Sequence, residues 1–209
     1  MYGPNDNFDL DKSHVLPALL RKMHLGKALE NNDWEAIRKD LDILPIGRVN
    51  GSSSEKEILD VFSKYGLRII RSEEEGTLSE VEVWGTGKPM REFLWSEDMA
   101  DACIHLMENI NFKDIVEKKQ ELSRNKNQIV NTHINIGTGK EIAIEELAKT
   151  IKKTIGFKGG LFFNSSKPDG AMRKLTDSSK LNALGWKYKI ELDEGIQKMY
   201  SWYTRVVEV

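Results

Sequence analysis

Three segments of the chain combine a glycine or proline turn, or a helix start, with side chains suited to an anionic, ring-containing ligand. In Trp84-Gly85-Thr86-Gly87-Lys88-Pro89-Met90-Arg91 an aromatic face and a guanidinium flank a turn where a ligand can come close to the backbone. In Ser165-Ser166-Lys167-Pro168-Asp169-Gly170-Ala171-Met172-Arg173-Lys174 a carboxylate lies between basic residues, so that Asp169 can take ribose hydroxyls while Arg173 or Lys174 meets phosphate. The third segment is Ser13-His14 at a helix start, followed two turns later by Lys22. An imidazole changes charge near neutrality, so a histidine there can serve as a general acid or base. Each segment also has a plain reading, as a structural hairpin, a charged loop and a surface histidine near a helix cap.

Other reactive residue types offer less. Cys103 falls on the apolar face of a helix pattern and reads as a buried core thiol rather than a nucleophile. His24, His105 and His133 have no metal-ligand spacing. Gly137-Thr138-Gly139 is only part of a phosphate loop, because neither G-x-G-x-x-G nor G-x-x-x-x-G-K-[ST] occurs in the sequence. A Tyr-x-x-x-Lys pair, which would supply a lysine-activated tyrosine acid, is absent too.

The elements that must position these residues alternate between helix and strand. Ser13 can cap a helix with Val15, Leu16, Leu19, Leu20 and Met23 on its apolar face and Arg21, Lys22 and Lys27 on the other. Asp33 caps a second helix, and Ser54-Glu55-Lys56-Glu57 opens a third as a capping box that closes at Gly66. With the tracts Gly51–Ser54 and Ser72–Gly76 around them, residues 30–79 read as a polar, weakly packed helical insertion. Val81–Trp84 alternates as a strand and predicts a hairpin with Arg91–Leu94. A helix from Ser96 should bury Met99, Cys103, Leu106, Met107 and Ile110, and a charged stretch follows from Lys113 to Asn127. Short strands are expected at His133–Ile136 and Leu161–Phe163, a helix ending at Gly156 between them, and a last amphipathic helix carrying Ile196, Met199, Tyr200 and Tyr203.

Length and charge bound the reading. With 209 residues and 39% hydrophobic side chains the chain can bury a real core, as one domain or two small ones. Against 33 acidic residues stand 31 Lys and Arg, so no basic field draws the chain to nucleic acid and phosphate contacts must be local. A lone cysteine excludes a disulfide framework and is compatible with a reducing cytoplasm. The apolar runs are too short for a membrane span, and the first residues have neither the basic start nor the apolar stretch of a signal peptide.

Taken in order, the segments are more telling than singly. Tyr2-Gly3-Pro4-Asn5-Asp6-Asn7-Phe8, Ser13-His14-Val15-Leu16-Pro17-Ala18-Leu19, Val83-Trp84-Gly85-Thr86-Gly87-Lys88-Pro89-Met90-Arg91-Glu92-Phe93-Leu94, Ile134-Asn135-Ile136-Gly137-Thr138-Gly139 and Ser166-Lys167-Pro168-Asp169-Gly170 with Arg173-Lys174-Leu175 closely resemble the GDP-L-fucose synthase family of extended short-chain dehydrogenase/reductases. The match runs from Tyr2 to about Tyr203, interrupted at about 30–79 and 113–131. The Ser-His-Val and Trp-Gly-Thr-Gly-Lys-Pro-Met-Arg-Glu-Phe-Leu elements are the ones specific to this family.

The resemblance implies an α/β fold of mixed small strands and helices, the C-terminal substrate-binding part of such an enzyme without its N-terminal Rossmann sheet. Residues 1–29 and 80–209 would form the nucleotide-sugar domain, with 30–79 inserted in it. The implied reaction is NADPH-dependent: epimerisation at C3 and C5 of GDP-4-keto-6-deoxy-D-mannose, then hydride delivery to C4. His14 matches the family's catalytic histidine, which also touches the NADP cofactor, whereas Cys103 does not match its catalytic cysteine. Lys22, Trp84 and Arg91 would hold the GDP-sugar, Arg91 on the diphosphate, with Asp169 or Lys174 near the nucleotide; no metal is implied. The sequence starts one residue before the matched Tyr2, so the resemblance places the NADP-binding half outside this chain and leaves the chain inactive alone. Two other readings stand beside it: a fragment of another nucleotide-sugar epimerase or dehydratase, and a non-catalytic module that dimerises or pairs with a separate Rossmann half.

Overall fold

A computed structural model describes residues 1–72, 76–120 and 132–207. Among them the chain runs α1 (Val15–Glu30), α2 (Trp34–Ile43), α3 (Glu55–Lys64), β1 (Leu67–Ser72), β2 (Gly76–Trp84), β3 (Met90–Arg91), α4 (Ser96–Asn109), α5 (Phe112–Gln120), β4 (Ile142–Ala143), α6 (Ile144–Ile155), β5 (Gly160–Asn164), β6 (Arg173–Lys174), α7 (Ser179–Ala183) and α8 (Leu192–Val207). The mixed α/β architecture with small sheets is as expected. One sheet has the order β1-β2-β5, antiparallel between β1 and β2 and parallel between β2 and β5. The other is a clip of two-residue strands, in which Met90 and Arg91 pair with β4 on one side and β6 on the other.

Several helix ends follow their caps. Asp33 accepts the Ala36 N–H at 3.0 Å, and Ser54 and Glu57 close the capping box in both directions. Helix α6 stops at Gly156 in the left-handed conformation, where any other residue would be strained. At α1 the cap differs from expectation: His14, not Ser13, is the N-cap, and its side chain makes no capping bond.

The interior departs further from the sequence reading. Helix α1 is buried nearly all round, Arg21 and Lys22 included, because it lies between β2 on one side and α2 and α6 on others, with His24 against Tyr200 and Tyr203 of α8. Arg21 is tolerated there by its partners. Its Nε and Nη2 donate to Asp40 Oδ1 at 3.0 and 2.7 Å, Nη1 donates to the Phe8 carbonyl at 3.1 Å, and Nη2 also reaches the Leu44 carbonyl. Tyr203 of α8 donates its hydroxyl to the other Asp40 oxygen; burial beside that carboxylate pushes its phenol well above the ordinary value. Thus α2 is bound into the core, and with Ile37, Leu41, Ile58 and Phe62 fully buried the segment 30–79 is not weakly packed.

Three local expectations are corrected. The hairpin partner of β2 is β1, not Arg91–Leu94: Leu67 pairs with Val81, while Arg91 pairs with Ile142 and Lys174. His133–Ile136 is not a strand. Helix α4 packs Met99 and Leu106 against the core as expected, but its buried residues are Asp98 and Ala102, and Cys103 and Met107 are exposed. Asp98 anchors the helix, since its carboxylate accepts the N–H groups of Lys189 and Ile190, while Ala102 packs with Leu94, Leu181 and Trp186. The stretch Lys113–Asn127 is helical as far as Gln120; residues 121–127 lie outside the described residues.

Candidate functional site

A cavity of about 510 Å³ opens between the start of α1, the end of α3 and the β2–β3 turn. Residues far apart in the chain meet in its wall: Ser13, Val15, Ala18, Leu19 and Lys22 from α1 and its lead-in, Lys64 and Tyr65 from α3, Glu82, Val83 and Trp84 from β2, then Gly87, Arg91 and Asp169. Lys22, Trp84, Arg91 and Asp169 therefore line one cavity. The size suits a ligand of several rings or of a sugar and a nucleotide.

Each side chain is held differently. Lys22 is 9% exposed, and burial pushes its ammonium below the ordinary lysine value while the nearby Glu82 charge partly opposes that shift. Among the described residues its one hydrogen bond is long, a donation to the Glu82 carbonyl at 3.5 Å. Arg91 Nη1 donates to the carbonyls of Met90 and Ala171, both at 2.7 Å, which anchors the guanidinium and leaves its Nε and Nη2 for a ligand. Trp84 presents a ring that is 63% exposed, with the Lys167 ammonium 5.1 Å from the ring centroid.

Asp169 has a structural duty that the sequence did not reveal. Its two oxygens accept from the Thr86 N–H at 2.6 Å and the Thr86 hydroxyl at 2.8 Å, pinning the Gly85–Gly87 turn that carries Trp84 and Arg91. Gly85 is required there, since a Cβ would sit 2.2 Å from Asp169 Oδ1 and φ is +84°. Lys174 does not line the cavity; it is exposed in β6, in register with Arg91. His14 is exposed at the head of α1 and outside the lining, although its neighbours Ser13 and Val15 on either side belong to it. The Ser13 hydroxyl is buried with no partner among the described residues, which leaves it to a bound molecule.

The sequence reading missed Lys64, Tyr65, Glu82 and the position of Lys167. For Glu82 no local signal existed, because a charged residue in an alternating strand normally marks the solvent face. Gly137-Thr138-Gly139 is answered clearly. Glu92 Oε1 accepts the Gly139 N–H at 2.7 Å and the Thr138 hydroxyl at 3.2 Å, and its Oε2 accepts the Thr176 N–H at 3.0 Å. The Gly139 N–H and the Thr138 hydroxyl are thus taken by a carboxylate of the same chain. No cluster of three or more metal-ligating side chains occurs among them, and no described helix is long and apolar enough to cross a membrane.

The chain is similar to known proteins. The model of the NAD dependent epimerase/dehydratase family matches residues 53–137, which include the β2–β3 turn. More particularly, GDP-L-fucose synthase 1 of Arabidopsis thaliana is 36% identical over 207 residues, 99% of this chain and 44% of that protein. Among solved structures, a GDP-6-OMe-4-keto-L-xylo-heptose reductase from C. jejuni is 43% identical with a TM-score of 0.79, covering 98% of this chain and 51% of that one. MlghC, a GDP-mannoheptose C4 reductase from Campylobacter jejuni with NADP bound, is 41% identical with a TM-score of 0.74 over 97% of this chain and 50% of its own. The chain is thus similar along its whole length to GDP-L-fucose synthase and related GDP-sugar reductases, and the resemblance read from its motifs holds. It spans about half the length of the relatives it matches.

Proposed function

We propose that the chain supplies the GDP-sugar site of a GDP-L-fucose synthase-like epimerase/reductase, acting on GDP-4-keto-6-deoxy-D-mannose with NADPH as reductant. What carries the reading is the convergence of Lys22, Trp84, Arg91 and Asp169 on one cavity. In it Arg91 and Lys22 hold the diphosphate, Trp84 stacks a ring, and Asp169 fixes the turn that bears two of these groups. Lys174, exposed beside Arg91, stays at the rim of this site.

The C4 ketone of such a substrate acidifies the protons on C3 and C5, and His14 is the chain's own group for protonating those carbons. NADPH, when bound, supplies the hydride for C4. The sequence holds no dinucleotide fingerprint, and Glu92 fills the Gly137–Gly139 turn, so hydride chemistry needs a separate Rossmann part and the cytoplasmic chain by itself does not turn over. On this reading 1–29 and 80–209 form the nucleotide-sugar domain, and 30–79 adds Lys64 and Tyr65 to its cavity.

A second reading has a specific observation behind it: the heptose reductases are 41–43% identical, above the 36% of the plant synthase. It keeps the GDP end and replaces the deoxyhexose by a longer 4-keto sugar. Calorimetry of the chain with GDP, UDP and dTDP tests what both share. GDP should bind best; UDP binding as tightly as GDP would remove the assignment to GDP-sugars.

A further inference from the structure

Glu82 stands in the wall of the cavity without a role so far. It is 8% exposed, on the same strand as Trp84 and two residues before it. Asn164 Nδ2 donates to its Oε1 at 2.8 Å and Arg68 Nη2 to its Oε2 at 3.3 Å. A carboxylate has about four acceptor positions, so roughly two remain open. Lys22 feels its charge, yet the described ion pairs join the Glu82 carboxylate to Arg68 and not to Lys22. A buried carboxylate with open acceptor positions in a ligand cavity is poorly solvated when the cavity is empty and strongly favoured when a ligand brings donors.

The position indicates which donors. Alternate residues on one face of a strand lie about 6.6 Å apart, the scale on which a purine stacked on the Trp84 ring brings its edge to Glu82. Guanine presents there an N–H at N1 and an amino group at C2, side by side. Adenine offers an acceptor at N1, and the pyrimidines uracil and thymine offer one N–H between two carbonyls. We propose that Glu82 selects guanine, its open positions accepting from N1–H and the 2-amino group while Lys22 and Arg91 take the diphosphate. The inference rests on the reading of the cavity as a nucleotide-sugar site and adds the residue that reads the base.

Calorimetry with GDP and IDP, which lacks only the 2-amino group, separates the two levels. The unaltered chain should bind GDP at least ~10-fold more tightly than IDP, as the loss of a hydrogen bond to a charged acceptor implies. Glu82→Gln, which faces the base with a neutral amide, should bring that ratio to about 3-fold or less, and Glu82→Asp, which keeps the charge but withdraws it, should fall between. A thermal melt of each variant confirms its fold, and Glu82→Asp decides the matter where Glu82→Gln does not fold. Equal binding of GDP and IDP, or discrimination that survives both substitutions, overturns the role of Glu82 and leaves the nucleotide reading intact. Equal binding would also follow if Glu82 held the ribose hydroxyls instead. No binding of any nucleoside diphosphate overturns the reading of the cavity and this inference with it.

Discussion

At the scale of single residues, the cavity is made from side chains whose partners are incomplete. Lys22 is the clearest case, since burial lowers its pKa from the ordinary 10.5 and its one hydrogen bond among the described residues is to a carbonyl. Diphosphate binding needs the ammonium form, which the free chain loses as pH rises through that lowered value. Affinity for GDP should therefore decline at lower pH in the unaltered chain than in Lys22→Arg, whose guanidinium keeps its charge and which shows only the loss that follows ionisation of the guanine N1–H. Calorimetry of both chains from neutral pH upward checks this; coincident profiles contradict it. Stability takes the opposite sign. The folded chain holds that proton less tightly than the unfolded one, so folding gains between the lowered value and 10.5. That Trp84, Arg91 and Asp169 line one cavity was legible in part because each sits in a dense local motif, whereas the sequence put Lys22 on the outer face of α1 and gave no sign of its burial. Glu82 was not legible, since strand alternation carries no information on what lies beyond the sheet, and the pinning of Thr86 by Asp169 joins residues 83 positions apart.

At the scale of elements, caps were legible and faces were not. Asp33, the Ser54 box and Gly156 act within a few residues of themselves, so sequence alone marks them. Which side of a helix is buried depends on partners elsewhere in the chain. Helix α2 looks polar until Asp40 is seen between Arg21 and Tyr203, and α4 looks anchored through Cys103 until Asp98 is seen holding the Lys189 and Ile190 amides. The α1–α2–α8 junction has a measurable consequence. Asp40→Ala leaves the Arg21 guanidinium, 1% exposed, without its counter-charge, and should destabilise the chain by about 3–5 kcal/mol in urea unfolding. A loss below about 1 kcal/mol, the value of a surface pair, would mean that Arg21 finds water there.

At the scale of the whole molecule, the mixed α/β class and the near-neutral charge were legible, because composition and alternating patterns average over many residues. The pairing of the strands was not. β2 lies centrally between β1 and β5, and the partner of Arg91 comes from Ile142 and Lys174, separations at which no turn signal operates. The outward face of α4 carries Ala100, Cys103, Ile104 and Met107 at helical spacing, with Ile104 54% and Met107 84% exposed. Because Cys103 is the chain's single cysteine, that face can be tagged by a maleimide fluorophore without any mutation. In the isolated chain the thiol should be labelled to one equivalent and about as fast in buffer as in denaturant. Labelling that is slow in buffer and fast in denaturant would show the face covered, and the same dye would then report when its cover arrives or leaves.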